Sequence, residues 1–520
     1  MYAPRGIGFS EVGDIEVVAD GDDLHLFHLT LPNHDVVQHV VSRDGLRWEQ
    51  LPPALWTGSP GDVDDDQIWT MSVTDDGADA LPRYHMLYTA LARAEDGRVQ
   101  RVADATSNDL IHWTKTGNQA VAVADPRWYE ATVAESGAVS FRDPKPVRAN
   151  GRWYLAVCAR TKDGPVMRRG AVALLVSDDL CTWEHVGPVI APRHYWDLEC
   201  PQIFEIGGTW YLTAGIMEDG TQRYWRADQV DGPYTVPADG GILAPQGHYA
   251  GRIVHWRGQD LYLCWHRPLG HHGPTLVDWA TQRNTSGKFI PAPLVLTQRS
   301  DGSLAQSTFA GWVAYRDGSP TPLVPSGSTA FQAEPVATDD ARWTLSPPEG
   351  TMDALATAID HADLDVAGTL RLDAASGGLA FRMDIASGAG YFIELRAGSR
   401  NVTLRKLLLS RDRWSGKQWF AYTDYQRGEL RQPFRRGDEL PFRLLLSGPY
   451  IELSLGDEVV IATLSGEAVS GRFGFWVEDG SGAMSDVTAA PLRPIPNEPS
   501  LSTHVRVAEP AAPDTVLTKR

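Results

Sequence analysis

Gly151-Arg-Trp-Tyr-Leu-Ala-Val157, followed by Ser177-Asp-Asp-Leu-Cys-Thr-Trp183, is the stretch that decides the fold. The first part is a polar glycine turn opening into an aromatic and aliphatic run of strand length. The second reads as a strand end, a polar turn and a tryptophan entering the next strand. The first design recurs at Gly21–His28, Arg83–Thr89, Gly208–Thr213 and Gly258–Trp265. The second recurs at Ser42-Arg-Asp-Gly-Leu-Arg-Trp48 and Ser107-Asn-Asp-Leu-Ile-His-Trp113. Trp48, Trp113 and Trp183 are 65 and 70 residues apart, a period expected of four-stranded propeller blades with long loops. Five units predict a five-bladed β-propeller over residues 1–320. Such a ring gathers the ends of its inner strands around one channel, so residues distant in sequence converge there. No helical periodicity of any length competes, and the fold class is all-β.

Outside the propeller the character changes. Residues 321–345 read as a linker, led in by the proline-, glycine- and serine-rich Ser319–Ser328. Short alternating runs such as Gly378–Asp384, Gly390–Arg396, Tyr450–Leu455 and Gly471–Val477 then predict a β-sandwich over 346–492. Residues 493–520, with few large apolar groups, are expected to be extended or disordered.

A chain of 520 residues is too long for one ordinary core. Its net charge of −19 disfavours nucleic acid and anionic membranes as partners and suits a neutral substrate. No apolar run reaches the length of a membrane span, and the first residues lack the apolar core of a secretory signal. The cytoplasm is therefore the expected location. Cys158, Cys181, Cys200 and Cys264 have no metal-ligand spacing. Asp62-Val-Asp-Asp-Asp66 reads as a solvated acidic loop, so no metal and no cofactor are expected. The expected partner is an oligosaccharide or small glycoside, and a homo-oligomer is left open.

Three acids stand at strand-like positions. Arg142-Asp143-Pro144 is followed by Glu199-Cys200-Pro201, with glutamate 56 residues after aspartate. Val12-Gly13-Asp14-Ile15 puts a third acid at the mouth of the first apolar run. Glycoside cleavage needs two such groups, one to protonate the leaving oxygen and one to attack, about 5 Å apart in retaining enzymes. Singly, each acid reads equally well as a turn or a strand end.

The chain resembles glycoside hydrolase family 32, the invertase, inulinase and levanase group, whose fold is a five-bladed propeller followed by a β-sandwich. Phe141-Arg142-Asp143-Pro144-Lys145 and Leu198-Glu199-Cys200-Pro201, with Trp196 just before it, match that family's motifs. Trp69-Thr-Met-Ser72, Tyr249–Ile253 and Ile451–Leu455 resemble further landmarks. The resemblance implies Asp14 as nucleophile, Glu199 as general acid/base and Asp143 as transition-state stabiliser with Arg142 beside it. Trp196 is expected to desolvate the acid, and His39 and Trp69 to touch sugar. Cys200 reads as a packing residue. The family's opening Trp-Met-Asn-Asp-Pro-Asn-Gly is replaced by Glu11-Val-Gly-Asp-Ile-Glu-Val17. Glu16 then stands where an asparagine contacts the sugar, and is expected to bind substrate. The implied activity is retaining release of a terminal β-fructofuranosyl residue from a sucrose- or fructan-like substrate, with transfer to another sugar as an option. An arabinofuranosidase or xylosidase of the related five-bladed type, or a non-catalytic carbohydrate-binding protein, are the alternatives.

Overall fold

The computed structural model describes residues 11–266, 289–329, 342–411, 415–465, 470–495 and 500–501. Five antiparallel sheets form the first domain. Blade one comprises β1 (Glu11–Asp20), β2 (Asp23–Leu31), β3 (Val36–Ser42) and β4 (Glu49–Trp56). Blade two holds β5 (Gln67–Asp75), β6 (Tyr84–Leu91), β7 (Arg101–Ser107) and β8 (Thr114–Lys115). Blade three holds β9 (Phe141–Ala149), β10 (Arg152–Arg160), β11 (Gly170–Ser177) and β12 (Glu184–Ile190). Blade four has three strands, β13 (Glu199–Ile206), β14 (Thr209–Ile216) and β15 (Thr221–Ala227). Blade five holds β16 (His248–Trp256), β17 (Gln259–His266), β18 (Leu294–Gln298) and β19 (Leu304–Thr308). The first strand of each blade packs against the first strand of the next, and β16 returns to β1, which closes the ring.

The Ser-x-Asp-x-x-x-Trp repeat is the outer turn between third and fourth strands of the first three blades. The Asp179 carboxylate accepts from the amides of Cys181 (2.9 Å) and Thr182 (2.8 Å). Asp109 accepts likewise from Ile111 and His112, and Asp44 from Leu46 and Arg47. These side chains satisfy amides that the ladder leaves unpaired. They brace residues in the left-handed region: Gly45 at φ 76°, Leu110 at 64° and Leu180 at 61°. Blade four lacks the motif, and among the described residues it lacks a fourth strand.

Twelve strands between Thr321 and Pro491 form the second domain. Two 20-residue strands, Leu364–Met383 and Arg472–Pro491, pair antiparallel and run through it. Their buried residues share a core with Trp343, Phe442 and Leu453. The stretch expected to be a linker is partly sheet. Thr321–Pro322 and Arg342–Leu345 pair with Arg472–Pro491, and Pro325–Thr329 pairs with Met352–Thr357. Proline is tolerated where its missing N–H is not needed by a ladder, so composition alone misreads this segment; residues 330–341 lie outside the described residues. In the expected tail, Ser500–Leu501 pairs parallel with β4 at Glu49 and Gln50, and residues 502–520 lie outside the described residues.

The two domains share cores. Trp312, fully buried, stacks on Tyr450 of the sandwich at 5.8 Å between ring centroids, and Val459 and Ala462 pack with Tyr262 and Leu294 of blade five. Among the described residues no helix is long and apolar enough to cross a membrane.

Candidate active site

All five inner strands break register at the same end of the ring. The irregularities fall between Val12 and Ile15 in β1, Trp69 and Met71 in β5, opposite Ala156–Cys158 in β9, Glu199 and Gln202 in β13, and Tyr249 and Arg252 in β16. Such bulges re-aim side chains away from the pleat. Asp143 (φ 60°), Cys200 (49°) and Ala250 (49°) sit in the left-handed region within three of them, a strained conformation retained where the surroundings enforce it. Pro144 and Pro201 follow two of these residues, and neither can donate to a ladder, which helps to fix where pairing stops.

The bulges bring the three predicted acids together. Carboxylate oxygens of Asp14 and Asp143 and the Cys200 sulfur all lie within 4.8 Å of one another. Asp14 accepts hydrogen bonds from the Thr70 hydroxyl and from Trp265 Nε1 at 2.8 Å, so both oxygens are held. Asp143 accepts from the Cys200 amide at 2.8 Å, while its own amide donates to Thr89 Oγ1 at 2.9 Å. Burial pushes the Asp143 carboxyl up; the Arg142 guanidinium opposes this, and the neighbouring Asp14 adds to the rise. Glu199 is gripped by Arg142 Nη2 at 2.6 Å and by the Tyr249 hydroxyl. Burial, chiefly, holds that phenol well above its ordinary range, so it donates. Gly215 pairs with Glu199 in the ladder, and a Cβ there would lie 3.3 Å from the Tyr249 ring; glycine admits the tyrosine. Burial likewise raises the Cys200 thiol far above its usual value, so it is a neutral packing group.

Two binding expectations need correction. Glu16 is wholly buried, paired with Lys145 Nζ and 3.1 Å from Arg252 Nε. It ties three inner strands together beneath the acids and does not line the site, because it lies two residues further along β1 than Asp14. His39 lies on β3, the third strand of its blade, and is wholly buried, so it is not open to a sugar. It is stacked on Phe27 at 4.1 Å and bonded to His25 at 2.9 Å. The Trp196 ring lies under the Arg160 guanidinium, 3.6 Å from Cζ to centroid. Arg142 is 5% exposed and bonds the protein's own carboxylates. Trp69 is half-buried on β5, its indole nitrogen donating to Gln67 at 2.6 Å, one residue from Thr70. In the acidic loop, Asp64 is buried against Lys115 at 2.5 Å, and Asp65 caps the amides of Gly61 and Arg93.

Thr70, Thr89, Asp197, Tyr249, Arg252 and Trp265 were not assigned from sequence. The signal for several was present: Thr70 follows Trp69, Tyr249 opens a recognised landmark, and Trp265 ends the fifth repeat unit. Their contacts depend on the closure of the ring.

Residues 17–232 match the glycosyl hydrolases family 32 N-terminal domain. Over blades one to four the chain is thus similar to glycoside hydrolase family 32. The family 32 match begins three residues after Asp14, as the altered opening segment implies. Over 196 residues the chain is 29% identical to a sucrose-6-phosphate hydrolase of Bacillus subtilis, covering 35% of this chain and 36% of the relative. Over 210 residues it is 31% identical to a cell wall β-fructofuranosidase of Zea mays, covering 37% and 32%. The chain thus spans about a third of the length of the curated relatives it matches. The structure of fructan 1-exohydrolase IIa from Cichorium intybus superposes with a TM-score of 0.65 at 16% identity, covering 96% of this chain and 98% of that one, which shows a shared fold.

Proposed function

We propose that the protein is a retaining glycoside hydrolase that releases a terminal β-fructofuranosyl residue from a sucrose- or fructan-like substrate. The convergence of Asp14, Asp143 and Glu199 from three different blades at one end of the channel carries this reading. Asp14 attacks the anomeric carbon while protonated Glu199 gives its proton to the leaving oxygen. Glu199, now ionised, then takes a proton from water as that water displaces the sugar from Asp14. The Thr70 hydroxyl and the Trp265 indole fix the nucleophile's two oxygens, leaving little reorientation before attack. Asp143, held by the Cys200 amide, faces the same space and accepts hydroxyls of the sugar as the ring becomes oxocarbenium-like. A sugar hydroxyl in place of water gives transfer by the same intermediate. Support for fructose over other furanoses comes from the family and from the relatives, which are named as acting on sucrose 6-phosphate or β-fructofuranosides.

The test is hydrolysis of sucrose, sucrose 6-phosphate, inulin, levan and aryl arabinofuranosides, with the first-formed anomer read by NMR. The expected result is β-configured fructose and turnover lowered by several orders of magnitude in Asp14→Asn. Cleavage of arabinofuranosides alone, or full activity in Asp14→Asn, overturns the proposal.

A further inference from the structure

Arg142 Nη2 is shared. It lies 2.6 Å from Glu199 Oε1 and 2.8 Å from Asp197 Oδ2, so two carboxylates divide one guanidinium nitrogen. Asp197 is 6% exposed, and its second oxygen lies 3.9 Å from Arg160 Nη1. Arg160 is itself anchored: it donates to the Trp196 carbonyl at 2.8 Å, pairs with buried Glu130 at 2.8 Å and covers the Trp196 ring. Glu130 in turn pairs with Arg169 at 2.7 Å. The backbone beneath Asp197 is equally fixed. The Gly170 amide donates to the Tyr195 carbonyl at 3.0 Å, and a Cβ at 170 would lie 2.9 Å from Asp197 Cα. A chain of alternating charge, Arg169–Glu130–Arg160–Asp197–Arg142–Glu199, thus ends on the proposed acid.

We infer that Asp197 is a positioning residue for the acid/base step: it holds Arg142 in place and counterbalances the guanidinium charge that Glu199 feels. The inference rests on the proposed role of Glu199. Unopposed, a buried guanidinium at 2.6 Å would favour the ionised glutamate strongly, yet the first step needs a protonated one. The negative charge of Asp197 on the same nitrogen weakens that pull. Burial raises the Asp197 carboxyl to about 6, against the lowering effect of Arg142. The groups facing it are Arg142 from β9, Cys158 and Arg160 from β10, and Glu199 from β13; the Cys158 thiol is held neutral by burial. Asp197 therefore carries its charge above about pH 6, where the counterbalance operates.

Asp197→Asn keeps the shape and removes the charge. The expected result, on whichever β-fructofuranoside the wild type cleaves, is a basic limb of the kcat/KM profile displaced downward by about one to two pH units. KM at the acidic plateau should stay within about twofold, because Asp197 has no place for sugar. Asp197→Glu, which retains the charge, should restore the limb at least in part. A second readout is independent of turnover: 13C-carboxyl NMR, assigned with Glu199→Gln, should show Glu199 titrating at lower pH in Asp197→Asn than in the wild type. If Asp197→Asn does not fold, Asp197→Ser is read in the same two ways. An unmoved limb and an unmoved Glu199 titration overturn the inference. A wild type inactive on every β-fructofuranoside overturns instead the proposed function, and leaves the NMR comparison to decide the electrostatic coupling.

Discussion

Glu16 separates two pictures of the site by a measurable quantity. As a sugar contact, its replacement by glutamine would raise KM and leave stability alone. As a buried counter-ion, its replacement should do the reverse. The Glu16 side chain is 0% exposed, Lys145 11% and Arg252 1%. At the 3.1 Å separation from Arg252, Coulomb attraction at an effective dielectric of about 20 amounts to about 5 kcal/mol. Desolvation already paid by all three groups offsets much of this in the intact protein. Once the carboxylate is gone, however, two buried cations face each other uncompensated, and the loss expected for breaking such a pair is about 3–5 kcal/mol. Glutamine retains an acceptor for Lys145, which places the estimate at the lower end, about 3 kcal/mol. Burial already lowers the Lys145 ammonium from its usual range, against the pull of Glu16, so that without Glu16 it should give up its proton more readily. Urea unfolding followed by tryptophan fluorescence gives the magnitude, and KM on the best substrate gives the control. The double variant Glu16→Gln/Lys145→Met should be destabilised by at least about 1 kcal/mol less than the sum of the single changes. An unchanged urea midpoint together with a large rise in KM refutes the reasoning and returns Glu16 to the sugar.

The remaining predictions concern the acid, pH and the repeat. Tyr249→Phe removes the hydroxyl donor to Glu199 and should lower kcat about tenfold or more while leaving the fold intact by circular dichroism, since the ring is kept. His28 and His248 are fully buried, and burial lowers both to about 4 from 6.5. The native state binds them neutral while the unfolded chain protonates, so stability is full above about pH 6.5 and falls as pH drops toward 4. Each should contribute about 2 kcal/mol of loss at pH 5, visible as a lower urea midpoint at pH 5 than at pH 7 and reduced in His28→Gln. Asp179→Ala removes the acceptor for two turn amides and should destabilise by about 1 kcal/mol, with activity unchanged. An undiminished melting temperature would count against the turn as the source of the repeat.

Much of the fold was legible because blades repeat. Ser177, Asp179 and Trp183 serve one local turn, and local turns write themselves into sequence at fixed spacing. The acids Asp14, Asp143 and Glu199 were legible as candidates for a similar reason: each stands at the start of an inner strand, and the prolines after Asp143 and Cys200 mark where pairing is interrupted. The linker was misread because proline and serine describe an edge strand as well as a loop. Glu16 and His39 were misplaced for another reason. Sequence gives a residue's position along its strand, but not which strand reaches the channel or how deep in it the residue lies.

The amino-acid sequence by itself determined the all-β class and the number of blades, and marked the three acids as candidates, since each depends on short-range periodicity or on chemistry within a few residues. Ring closure alone decided that Thr70 and Trp265 hold Asp14, that Glu16 is a counter-ion between Lys145 and Arg252, and that Asp197 and Glu199 divide Arg142. Those contacts join residues up to 251 positions apart. Their strength comes from mutual burial, a property that no single segment possesses before the blades meet.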